Sequence, residues 1–481
     1  MMRISEKMGL NKSKLELDFY DYEVEKDNYA FLDPYYIAKK EDAFLAECNT
    51  YVESFFNCFL FLLKEDEDSA YDLFSHLGEV NEICLGMSKN KPAGRGIGTI
   101  NTREIFKSIK ESQAFRDGTA KNMEDIRLFI PGIDKDKVSD MVANIIKLPL
   151  IEYTQYQCRL HGIPLVSMET GYCWDKNQWV RGHKEALVID DKQYLLFPKN
   201  LVSKAKYYSS DEYFRMYILE YLQQKNIEED TSLVHKSFNK DGSVKKARVF
   251  KKEIKERMIA NGEFITKEWL ARFTKENPEV YAKFRRDTMK KISQSEYENI
   301  SKEEVEEIID KLIESLRSIP TGAANATKYH RLISGILELL FYPYMAHPRV
   351  EQEIHEGRKR IDLVFDNIAE EGFFNLLGTV YDVPCSWIMV ECKNYTKDIS
   401  NPELDQMSGR FAARRGKFGI ICCRSIDNEA AFIERERDTV KDGRGWIIHL
   451  TDEEIIYLLE QRKEDIYVND YMVKKYSEII E

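Results

Sequence analysis

Two carboxylates and a lysine in the C-terminal third of the sequence have the chemistry needed to hydrolyse a phosphodiester. Asp362 lies in the run Arg360-Ile361-Asp362-Leu363-Val364-Phe365, and Glu391-Cys392-Lys393 closes the apolar run that starts at Trp387. Such hydrolysis needs a hard cation to polarise the phosphoryl group and lower the pKa of a bound water. Carboxylate and carbonyl oxygens are the ligands that cation prefers. Asp362 and Glu391 offer two carboxylates, and the backbone carbonyl of Cys392 offers a third oxygen. Lys393 would lie beside the ion, its ammonium orienting the attacking water or offsetting negative charge. The expected cofactor is Mg²⁺, with Mn²⁺ as its substitute.

The elements around these residues give them a shared face. Periodicity predicts a helix over 326–341, then strands over 349–355 and 360–365, a loop through Gly372 and Pro384, and a strand over 387–393. Side chains alternate along a strand, so Glu391 and Lys393 project from one face while Val390 and Cys392 pack on the other. On the first helix, Leu332, Ile333, Ile336, Leu337 and Leu340 form the apolar stripe. Glu338 falls on the opposite side with Arg331, Ser334 and Tyr342, where an ordinary surface glutamate is the simplest reading.

This order resembles the PD-(D/E)xK nuclease superfamily, with its restriction-endonuclease-like fold, over about the last 160 residues. The resemblance rests on Glu338 in the first helix, Ile361-Asp362 at the Pro-Asp position and Glu391-Cys392-Lys393 at the (D/E)-x-K. It continues through Asn401-Pro402, which starts a helix bearing Gln406 and Arg410, a strand over 418–423, and Trp446-Ile447-Ile448-His449-Leu450 before Thr451-Asp452-Glu453. That last strand and helix look like those of Mrr-like restriction endonucleases. Ile361 replaces the usual proline, and Gln406-Met407-Ser408-Gly409-Arg410 lacks the tyrosine of the common Gln-x-x-x-Tyr element. The resemblance implies catalytic roles for Asp362, Glu391, Lys393, Glu338 and Gln406. It implies metal ligation by Asp362, Glu391 and Cys392, and nucleic-acid contacts by Arg360, Arg410 and Arg414.

Other clusters compete for attention. Glu253-Ile254-Lys255 fits the same three-residue pattern, but in basic, helical surroundings without an acidic strand before it. Asp190-Asp191-Lys192 reads as the turn of a hairpin over 184–198. Gly94-Arg95-Gly96-Ile97-Gly98, ahead of a helix from about Arg103, has the make-up of a phosphate-holding loop or of a plain mobile loop. Cys158, His161, Cys173 and His183 have zinc-ligating side chains, without the paired-cysteine spacing of a structural site.

At 481 residues, the chain exceeds a single ordinary core. Helical patterns over 40–64 and from 134 toward Tyr156 suggest a mixed α+β region over 1–208. A mainly helical, partly basic region follows over 209–318, with loops at 240–242 and 276–278. Ser318-Ile319-Pro320-Thr321-Gly322 opens the last, α/β domain over 319–481, with a central mixed sheet flanked by helices. The formal net charge of -12 argues against a protein that coats nucleic acid, so any contact must be local. Local basic clusters occur at Lys245-Lys246-Ala247-Arg248, at Lys251-Lys252, at Arg285-Arg286 and at Arg410 with Arg414-Arg415. No apolar run is long enough for a signal or a bilayer span, and the nine cysteines lack framework spacing, so the expectation is a cytoplasmic protein in a reducing compartment.

The N-terminal part also resembles regions of proteins from bacterial antiphage systems, with no chemical motif attached. Together these features suggest a DNA endonuclease of defence or restriction, acting on DNA as a homo-oligomer and with a separate defence-system partner. A repair or recombination nuclease acting on branched or end structures, and a non-catalytic nucleic-acid-binding scaffold, are the alternatives.

Overall fold

The computed structural model describes residues 2–26, 28–38, 42–78, 80, 82–85, 99–116, 118–202, 209–292, 301–354, 359–464 and 468–480. The glycine-rich segment 94–98 lies outside the described residues, as does His355. The chain is mixed α/β, and no described helix is long and apolar enough to cross a membrane.

Helices dominate the N-terminal part. Asp42 caps helix Ala43–Glu65 by accepting from the Leu45 amide at 2.8 Å. Leu45, Cys48, Val52, Phe55, Phe56 and Phe59 form its buried stripe. The helical pattern from 134 toward Tyr156 forms two helices, Lys135–Ile145 and Lys147–His161. Pro149 stands in the first turn of the second, where its missing N–H has no intrahelical partner to lose. β1 (Val166–Asp175), β2 (Gln178–Ile189) and β3 (Lys192–Tyr194) form a three-stranded antiparallel sheet. The turn expected at Asp190-Asp191 joins β2 to β3, with both residues in the left-handed region (φ 50° and 59°).

The middle region shares a core with the N-terminal part: Tyr35, Leu128 and Phe129 pack with Tyr213, Phe214, Leu270, Phe273 and Phe284. The segment expected as a loop at 240–242 is the tip of a two-stranded ribbon, β4 (His235–Phe238) and β5 (Val244–Arg248).

The C-terminal part is a five-stranded sheet in the order β10-β9-β8-β7-β6. Its strands are β6 (Met345–Ile354), β7 (Lys359–Asn367), β8 (Trp387–Lys393), β9 (Phe418–Cys423) and β10 (Trp446–Thr451). β6, β7 and β8 run antiparallel, whereas β8, β9 and β10 run parallel. Helix Ala326–Phe341 and the helices from Asp452 and Asn469 cover one face, where Leu363, Phe365, Ile388, Val390 and Cys392 are buried. Helix Asn401–Ser408 and helix Glu429–Lys441 cover the other, against Val364, Met389, Ile421 and Ile447.

Two features depart from the sequence reading. The stretch expected as a loop after Gly372 contains helix Gly372–Thr379, which buries Phe373, Phe374 and Leu377; each fully buried side chain of this size stabilises the fold by about 1.5–3 kcal/mol. Helix Lys302–Ser318 also inserts Ile309, Leu312, Ile313 and Leu316 into the same core, so that core draws on residues before 319.

Candidate active site

Glu391 and Lys393 end β8, and alternation turns both toward the face that carries Met389. Opposite them, β7 presents Asp362, whose Oδ2 accepts from the Cys392 amide at 3.3 Å. Lys393 Nζ lies 3.0 Å from Glu391 Oε2 and donates to Gln406 Oε1 at 3.1 Å. Gln406 is carried by helix Asn401–Ser408, which lies close to the sheet because β9 has a glycine beneath it: a Cβ on Gly419 would stand 2.8 Å from Met407 Sδ. Four of the residues singled out from the sequence, Asp362, Glu391, Lys393 and Gln406, thus converge.

Arg410 joins them, though not as expected. The helix ends at Ser408, so Arg410 lies in the turn beyond it, with its amide bonded to the Met407 carbonyl. Its guanidinium is buried and pairs with Glu391 Oε1. Burial lowers the Arg410 pKa and nearby Asp362 opposes that shift. The nearby Asp405 pairs with Arg444. Arg414 and Arg360 are exposed.

The Cys392 carbonyl, proposed as a third oxygen ligand, already accepts from His330 Nε2 at 2.9 Å. His330, on helix Ala326–Phe341, is the site residue that sequence reasoning missed; a lone histidine on a helix gives no spacing signal. An open cleft of about 520 Å³ runs beside these groups, lined by Gly322, His330, Asp362, Lys393, Tyr395 and Lys397 among others. Asn394 anchors its rim, donating to the carbonyls of Pro320 (3.1 Å) and Gly322 (2.9 Å).

Glu338 is placed elsewhere. It follows His330 by eight residues, about 12 Å along a helix, and the side of the helix expected to face solvent is covered by the N-terminal part. Lys12 donates to the Arg331 carbonyl at 3.2 Å, and Lys199 pairs with Glu338 at 3.4 Å. Burial raises the Glu338 pKa well above the carboxylate range, with Lys199 opposing. Beside it His347, at a register shift in β6 with φ 54°, is a buried hub. Its amide donates to Asp18 at 2.8 Å, Nδ1 lies 3.2 Å from Asp366 and Nε2 lies 3.5 Å from Asp42. Arg349 grips Asp366 through both carboxylate oxygens, at 2.9 and 2.6 Å. Asn200 donates to Asp42 at 2.6 Å, and Gln157 and Tyr153 donate to Asp18. Glu338 therefore belongs to a charged joint between the two ends of the chain.

The residues considered for zinc are not gathered: Cys158 and Cys173 are buried in the N-terminal core, while His183 is exposed. Burial pushes the pKa of His161 down to about 3. Among the described residues, the potential ligand group is Glu429, His449 and Glu454. Lys475 Nζ occupies it, 2.7 Å from Glu454, 2.9 Å from His449 Nε2 and 3.4 Å from Glu429. An ammonium already supplies the cation there.

A family model described as "Domain of unknown function (DUF8370)" matches residues 9–209, the segment that contributes Asp18, Asp42 and Lys199 to the joint. No curated protein and no solved structure matches the chain.

Proposed function

We propose that the C-terminal part is a metal-dependent DNA endonuclease of the PD-(D/E)xK type. The observation that carries this reading is the convergence of Asp362, Glu391, Lys393 and Gln406 at the end of β8, the central strand of a mixed sheet, beside an open cleft. The order of helix, antiparallel strands and parallel strands around it is compatible with the resemblance drawn from the sequence.

The donor set suits a hard divalent cation: it consists of two carboxylates and a carbonyl, all oxygen donors. Asp362, Glu391 and the Cys392 carbonyl would hold Mg²⁺, which when bound polarises the phosphoryl group and acidifies a water. Lys393, steadied by Gln406, holds its positive charge at the point where negative charge develops on the reacting oxygens. Arg410 is within reach of both carboxylates, and in this reading transfers its charge to a substrate phosphate. The N-terminal part, joined to the same sheet through His347 and Asp366, would sense the target or restrain the enzyme, in keeping with antiphage defence or restriction.

Incubating the full-length protein with Mg²⁺ and a panel of linear, circular, modified and branched DNAs tests this. Cleavage that is absent from Asp362→Ala is the expected result. Preference for flaps or junctions would favour a repair nuclease, and binding without cleavage under all conditions would leave a scaffold.

A further inference from the structure

The ribbon β4–β5 is built in a way that no folding requirement explains. Every residue from 235 to 246, and Arg248, is exposed, so both faces of the ribbon meet solvent. An isolated two-stranded hairpin is marginal in water, and this one gains nothing from its apolar residues. Phe238 and Val244, paired across the ribbon near its tip, are 60% and 51% exposed. The structure is instead fixed locally. Asp241 in the turn accepts from the Ser243 amide at 2.9 Å and its hydroxyl at 2.6 Å, and at the base His235 bonds Glu253 at 2.8 Å while Val249 is buried.

The charge on this ribbon opposes that of the chain. Residues 235–248 contain Lys236, Lys240, Lys245, Lys246 and Arg248 against a single acid, Asp241, in a protein of formal net charge -12. Lys236 is paired with Asp230 and Arg248 lies over Phe250. Among the described residues, Lys240, Lys245 and Lys246 have no ion-pair partner. By contrast, Lys251 just beyond donates to the Arg215 carbonyl and Lys252 pairs with Glu256. Lysines on open strand edges also discourage edge-to-edge pairing, but that role does not require an exposed phenylalanine at the tip.

We infer that the β4–β5 ribbon, separate from the Asp362–Glu391 cluster, is a nucleic-acid contact that grips the phosphate backbone of duplex DNA. Lys240, Lys245 and Lys246 meet phosphates, and Phe238 supplies an apolar contact. A two-stranded ribbon fits the major groove of B-form DNA, whereas the deep, narrow major groove of A-form RNA excludes it. The inference rests on the ribbon alone and does not require the nuclease reading.

The test is the affinity of the full-length protein for a short labelled DNA duplex as a function of salt, in EDTA so that nothing is cut. The triple variant Lys240→Gln, Lys245→Gln, Lys246→Gln is expected to lower the salt slope by about 2–3 units and to weaken binding about tenfold or more at fixed salt. The corresponding triple Lys→Arg variant should retain both, and a thermal melt checks that each variant folds. An unchanged slope in the Gln variant, no binding by the wild type, or equal affinity for duplex RNA would overturn the inference. So would loss of binding to phosphatidylserine vesicles with DNA affinity unaltered. Cleavage is read separately: a protein that binds through the ribbon and cuts nothing removes only the nuclease reading, and cutting with an unchanged slope removes only the ribbon.

Discussion

Glu391 faces two cations at once, Arg410 at one carboxylate oxygen and Lys393 at the other, 3.0 Å away. All three side chains are buried. A carboxylate satisfied in this way has little to offer a further cation, so Arg410 stands in competition with a divalent ion. A phosphate arriving in the cleft would relieve that competition by attracting the guanidinium.

Removing Arg410 should therefore have opposite effects on two ligands. In Arg410→Ala, Mn²⁺ binding measured by calorimetry without DNA should tighten severalfold. DNA binding, measured with the cleavage site disabled by Asp362→Ala, should weaken across sequences, with a salt slope smaller by about one unit. An unaltered slope would leave Arg410 as a partner of Glu391 alone.

The two carboxylates proposed as ligands should differ in what their loss does to stability. Asp362 is half-buried and makes one amide contact. Asp362→Ala should lower cleavage by about a thousandfold or more, the equivalent of roughly 4 kcal/mol, with little effect on a urea unfolding curve. Glu391→Ala removes the carboxylate shared by two buried cations and should destabilise by about 3–5 kcal/mol as well as stopping cleavage. Equal urea midpoints for the two variants would contradict the ion-pair arrangement.

Metal substitution offers an independent check. Mg²⁺ and Mn²⁺ should support hydrolysis, chelator should abolish it, and Ca²⁺ should support DNA binding better than cutting because it accepts the same oxygens in looser geometry. Undiminished cutting in excess EDTA would rule out the proposed chemistry.

The joint around His347 predicts an alkaline limit to stability. Burial alone would lower the His347 pKa, but Asp42, Asp366 and Asp18 raise it to about 10, against an unfolded value of about 6.5. A raised pKa contributes stability that is complete below the unfolded value and is lost as pH rises through the folded one. Glu338, also raised, by burial, acts in the same direction. Asp366, held down at about 2 by His347 and Arg349 despite its burial, contributes stability that is lost only as pH falls through that value. Thermal melts should therefore show a falling midpoint between about pH 6.5 and 10, and His347→Asn should flatten that decline. An equally steep decline in the variant would place its origin elsewhere.

The C-terminal strands could be read from sequence because their apolar runs alternate or end in charge, and β8 and β9 match the expected spans closely. The convergence of Asp362, Glu391, Lys393 and Gln406 followed from that order of elements. Other parts were hidden for physical reasons. His330 reaches the site only because its helix crosses the end of β8, a tertiary relationship with no sequence period. Glu338 looked exposed because its helix face is polar, but that polarity complements charges contributed more than a hundred residues away. The β4–β5 ribbon has no buried face, so it lacked the alternation by which strands are recognised.

The joint also governs how the protein can be divided. Pro320-Thr321-Gly322 looks like a natural place to cut, yet a fragment starting there would lose Asp18, Asp42 and Lys199, leaving His347 with Asp366 and taking Lys199 from Glu338. It would also lose the apolar stripe of helix Lys302–Ser318. The C-terminal sheet is thus not a transferable module: transplanted alone into another protein, it would carry an open, charged wound where its own N-terminus belongs.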